Sequence, residues 1–208
     1  MRIKQRQVLP SVDKQRSAAV KVKASEALSA NDIIMATGVS GAHMTVNQAD
    51  VDNFTEIGGT LWIADYAVDS GTTVACAVPW KLITDIDTSS ASAVGQPVYL
   101  SDTEGAYTLS PTAAKPHIKI GHVVAVHAST GAILLNPGAF SGQIGGQVAF
   151  GGGTTATVSV GAAFNGRPVV ATMNGGSRYV TKAVITSGTL TITANDTNSD
   201  TATYMIIG

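Results

Sequence analysis

The chain is poor in cysteine, aromatic side chains and charge, and each shortage excludes something. Cys76 is the one cysteine in 208 residues, so no intrachain disulfide framework can hold the fold and no oxidising compartment is needed. Its neighbours Val74, Ala75, Ala77 and Val78 give it the apolar setting of an inert thiol. No hydrophobic run reaches the roughly 18 residues of a membrane span, and the N-terminus lacks the apolar core of a signal peptide. These absences lead us to expect a protein assembled in a cytoplasm, with no membrane partner. Aromatics make up 5% and charged residues 13%, against 44% hydrophobic residues. What remains is dominated by Gly, Ala, Thr, Ser and Val, the material of short strands and tight turns, so an all-β fold is expected. The length suits two small domains, each with its own core.

Charge is sparse but unevenly placed. Residues 1–23 carry Arg2, Lys4, Arg6, Lys14, Arg16, Lys21 and Lys23 against Asp13 alone. Residues 24–146 reverse the balance, with three basic side chains against eleven acidic ones. A basic arm therefore precedes an acidic body. Phosphate binding is the first use to weigh for such an arm. However, residues 1–23 contain no aromatic ring to stack a base, and the charges are interleaved with Gln, Val, Ile and Pro, so a protein-contacting or merely solvated arm is the better reading than a nucleic-acid-binding one. Val20 and Val22 alternate with Lys21 and Lys23, which predicts a short edge strand with an apolar side for a partner.

Strand-like runs follow at Asp32–Met35, Leu61–Ile63, Thr73–Val78 and Lys81–Ile83, separated by glycine-containing turns. Pro97-Val98-Tyr99-Leu100, Ile118–Val126 and Ala132–Leu135 then read as a compact antiparallel meander. Residues 139–153 are rich in glycine and nearly uncharged, and read as a linker. Beyond them Ala156, Val158 and Val160, and then Leu190 and Ile192, alternate with Thr and Ser, as in a half-buried antiparallel sandwich. The expected division is a basic arm over 1–23, a β-barrel-like domain over 24–138, the linker over 139–153 and a β-sandwich domain over 154–208.

The order Asp32, Val74–Val78, Gly95-x-Pro97-Val98-Tyr99, Ile120-Gly121-His122-Val123 and Ile133-Leu134-Leu135-Asn136-Pro137 resembles the head decoration, or cement, proteins of tailed bacteriophages. The last segment, from Phe164-Asn165-Gly166 through Gly188-Thr189-Leu190 to Tyr204–Gly208, is similar to the β-sandwich modules that tip phage fibres. The resemblance implies a small barrel that binds the outer face of a capsid as a homotrimer, with the major capsid protein as partner and the virion surface as location. It implies no catalysis and no cofactor. A rival is a receptor-binding appendage whose C-terminal domain takes a cell-surface glycan.

The side-chain inventory offers little to an enzyme. His117, His122 and His127 recur in steps of five, which on one continuous strand separates the outer two by about 33 Å and turns His122 to the other face. No Cys/His set has zinc spacing, and no serine sits in a Gly-x-Ser-x-Gly elbow. Asp50/Asp52 and Asp85/Asp87 are paired carboxylates beside loop-like sequence, read as solvated. Expected contact residues are therefore Arg2, Lys4, Arg6, Lys14, Arg16, Val20 and Val22 in the arm, with Trp62, Trp80 and Tyr99 as interface aromatics.

Overall fold

The computed structural model describes residues 19–57, 59–113, 115–139, 143–197 and 199–207. The fold is all-β. Five strands close a small barrel: β1 (Val20–Ala24), β2 (Ile33–Ser40), β3 (His43–Gln48), β4 (Leu61–Ala64) and β5 (Thr73–Val78), in the order β1-β3-β2-β4-β5, with β5 returning to β1. A short helix, α1 (Val51–Ile57), lies between β3 and β4. β1 runs parallel to β3 and antiparallel to β5. Among the described residues, no helix is long and apolar enough to cross a membrane.

The apolar runs of β2 and β4 do not alternate with polar residues because both faces of these strands are covered. Ile33 and Met35 of β2, and Leu61 and Ile63 of β4, face the main core. Ile34 and Ala64, on the opposite face of these strands, face the barrel interior with Val22, Val46, Cys76 and Ala77, and Trp62 packs partly buried against that cluster. The barrel wall is thus also the floor of the rest of the molecule.

The remaining strands are β6 (Lys81–Ile86), β7 (Pro97–Leu100), β8 (Tyr107–Thr108), β9 (His117–Ala125), β10 (Gly131–Leu135), β11 (Gln143–Ala149), β12 (Thr155–Ser159), β13 (Val169–Met173), β14 (Val180–Thr186), β15 (Thr189–Ala194) and β16 (Thr201–Ile207). One large sheet runs β13-β16-β11-β9-β10-β6, with β7 joined to β9 and β8 to β7. A second sheet, β12-β15-β14, contributes Ile185, Leu190 and Ile192 to the core that also receives Tyr204 and Ile206 of β16.

Two expectations about organisation are corrected. The stretch read as a linker contains β11, which pairs with β16 along its whole length and with β9 through Ile144↔Ile118. Glycine is tolerated in this strand because Gly146 lies under the ring of its cross-strand partner Tyr204, so close that a Cβ would sit 2.7 Å from the phenolic oxygen. Further, residues 24–138 and 154–208 do not have separate cores. One cluster runs from Phe54 of α1 through Ile118, Ile133 and Ile144 to Phe164, Leu190 and Tyr204.

Candidate binding face

Arg2, Lys4, Arg6, Lys14 and Arg16 lie outside the described residues. The two valines that follow have different environments. Val20 is 42% exposed, whereas Val22 is fully buried in the barrel. The register against β5 shifts between Val20 and Lys21, which breaks the expected two-residue alternation. Val22 therefore cannot face a partner, and β1 is flanked by β3 and β5 and offers no open edge. Trp62 belongs to the barrel cluster, Trp80 is 54% exposed, and Tyr99 is half-buried beside His117, with ring centroids 5.7 Å apart in an edge-on arrangement.

The side of the large sheet turned away from the core gathers several of these groups. Val98, Ile118, Ile144 and Ile206 point inward, so their strand neighbours Tyr99, His117, Gly145 and Met205 point outward. Val170, Met205, Gly145 and His117 stand side by side in register across β13, β16, β11 and β9. Gly145 is the gap in that row. Its missing side chain leaves a groove of about 370 Å³ with Tyr99, His117 and Lys119 on one side and Gln147, Thr203 and Met205 on the other. The Thr203 hydroxyl donates to Asn174 Oδ1 at 2.7 Å, and His117 Nε2 lies 3.3 Å from the Thr112 carbonyl oxygen. A second outward row joins Leu82, Leu134, His122 and Pro97 across β6, β10, β9 and β7, with exposed Val124 next to it.

The other chemistry-bearing residues are occupied locally. β9 ends at Ala125, so His127 is not on the strand with His117 and His122; its Nδ1 accepts the Ser129 and Thr130 N–H groups, each at 3.1 Å. Asp50 is not on a strand either: it caps α1, accepting the Asn53 N–H at 2.8 Å, while Asp52 takes the Lys115 ammonium at 2.6 Å. That hydrogen bond holds the Lys115 pKa above its ordinary value. Asp87 accepts from the Ser89 hydroxyl and N–H, which lowers its pKa. Burial, aided by the negative charge of Asp65, pushes the Cys76 thiol pKa up, so the thiolate is disfavoured. Among the described residues no three His, Cys, Asp or Glu side chains are grouped to hold a metal ion.

No motif in the sequence singles out Gly145, Met205 and Leu82, which the fold places on this outward side. The available signal was in the terminal strand, where Ala202, Tyr204 and Ile206 alternate with Thr203, Met205 and Ile207. An apolar set on both parities means that the outward face is itself partly apolar. No protein-family model, curated protein or solved structure matches the chain.

Proposed function

We propose that the chain is a structural virion protein that decorates a phage capsid, binding as a trimer across junctions between major capsid subunits. The observation that supports this reading most directly is the exposed apolar surface where the basic segment joins the body. Val20 pairs with Ala77 near the end of β5, and Pro79-Trp80 then turns the chain into β6. Val20, Trp80 and Leu82 are all more than two-fifths exposed, and the Leu82 row continues over β10 and β9. Burying such a patch against a shell removes apolar area from water at about 25 cal/mol per Å². Subunits bridged in this way separate only by losing that contact. The basic side chains Arg2, Lys4, Arg6, Lys14 and Arg16 would meet acidic capsid groups and speed encounter more than they deepen affinity.

Co-sedimentation of the full chain with undecorated shells tests this function. Wild-type protein should pellet with the shells at a stoichiometry of three per site. Trp80→Ala should weaken binding about tenfold or more, as expected for a central aromatic anchor. Removing residues 1–17 should slow association, most strongly at low salt. Shells that leave the wild-type chain in the supernatant would remove the reading altogether.

A further inference from the structure

The groove floored by Gly145 has a character of its own that capsid attachment does not use. We infer that it binds an acidic saccharide, a pyranose ring carrying a carboxylate. Its volume of about 370 Å³ is at the small end for ligand sites, which run from about 300 to 1,000 Å³. One wall is the Tyr99 ring, held edge-on by His117. A half-exposed aromatic ring gives the C–H face of a sugar an apolar surface to lie on.

The rim supplies what the hydroxyls and the carboxylate need. Thr203 is oriented by its bond to Asn174, and Gln147 is exposed on β11 beside it. Lys119 stands opposite Tyr99 in register and supplies a cation, His117 is turned to the Tyr99 ring and the Thr112 carbonyl, and among the described residues no Asp or Glu lines the groove. Within residues 24–146, where acidic side chains outnumber basic ones eleven to three, this is a local reversal of sign. An anion gains there from complementarity, and a neutral ligand does not.

The backbone narrows the class further. β11 lies between β16 and β9, β16 between β13 and β11, and β7 between β8 and β9. At Gly145, the floor of the groove, the main chain is paired on both sides, to Met205 of β16 and His117 of β9, so an extended peptide has no strand edge to extend at that point. Recognition must come from side chains on the sheet face, which suits a compact polyhydroxylated ring.

Saturation-transfer NMR and titration of the full chain with glucuronic acid, using glucose as the neutral control, test the assignment. Glucuronate should bind with a Kd in about the millimolar range, at least about fivefold tighter than glucose. Tyr99→Ala should weaken both sugars. Lys119→Gln should erase the preference for glucuronate while leaving glucose binding unchanged. Gly145→Val should fill the groove and abolish binding, but it also crowds the Tyr204 carbonyl oxygen, which lies 3.3 Å from where a Cβ would sit. Tyr99→Ala and Lys119→Gln therefore carry the test. No saturation transfer from glucuronate at several times that concentration would overturn the inference, as would equal binding of the two sugars. Binding unchanged in both variants would place the site elsewhere. A Tyr99→Ala protein that sediments as a smaller species than wild type would make the groove a subunit contact instead.

Discussion

Tyr204 shows how a single side chain can serve packing and still carry a cost. Its ring covers the Gly146 backbone and fills the core between the two sheets, yet its hydroxyl is buried with no hydrogen-bond partner among the described residues. An unsatisfied buried hydroxyl costs about 1–3 kcal/mol, so Tyr204→Phe should raise stability by about 1 kcal/mol in a urea melt. The same burial pushes the Tyr204 pKa up to about 12, from an ordinary value of 10. Because the folded value is the higher one, the contribution is intact below pH 10 and is lost as pH rises toward 12. Tyr107 is raised by burial as well, so the comparison must be between variants. Wild type should lose up to about 2–3 kcal/mol more than Tyr204→Phe over that interval. Equal losses would show that the phenol ionises without unfolding the chain.

At the level of elements, helix α1 was the least legible feature of the sequence. Seven residues are too few to display a helical period, and Asp50 and Asp52 look like a pair of carboxylates on one strand face. What makes the turn is capping. Asp50 accepts the Asn53 N–H through Oδ1 and the Asn53 side-chain amide through Oδ2, both at 2.8 Å. The cap places Phe54 in the core, where its ring meets Phe164 at 6.5 Å. Asp50→Ala should therefore cost about 1–2 kcal/mol, whereas Asp50→Asn, which keeps an oxygen acceptor, should cost less than half of that. If the two variants melt alike, the charge and not the acceptor is what matters. The Asp52–Lys115 pair is exposed, and replacing Lys115 by Met should change stability by less than about 1 kcal/mol.

Strands were legible wherever turn chemistry bracketed them. β5, β7, β9, β10 and β15 lie where the alternation and the glycine punctuation place them. β11 was not legible, because Gly145 and Gly146 carry the composition of a linker and only the partner strand β16 reveals why glycine fits there. Val22 was misread for a related reason: a register shift is a tertiary event, and nothing in Val-Lys-Val-Lys announces it. The groove was invisible in sequence because its residues are brought together from β7, β9, β11 and β16.

On the scale of the whole molecule, stability depends on how the two hydrophobic clusters share their walls. The barrel interior is a small cluster of its own, but β2 and β4 send alternate residues into both clusters, so neither can open without disturbing the other. β11 ties the last third of the chain to β9, and Ile144, Phe164, Leu190, Ile192 and Ile206 complete the surface on which Phe54, Ile118 and Ile133 pack. A chain ending at Asn136 would expose those inner faces to water. Each large apolar side chain so uncovered forfeits about 1.5–3 kcal/mol, and several together exceed the 5–15 kcal/mol by which a domain is stable. The full chain should therefore unfold in one transition, with calorimetric and van't Hoff enthalpies equal, and the chain ending at Asn136 should be aggregated or lack a cooperative melt. Two resolved transitions in the full chain, or a soluble truncation that melts cooperatively with the near-ultraviolet dichroism of a packed core, would mean that the barrel and the sandwich are independent after all.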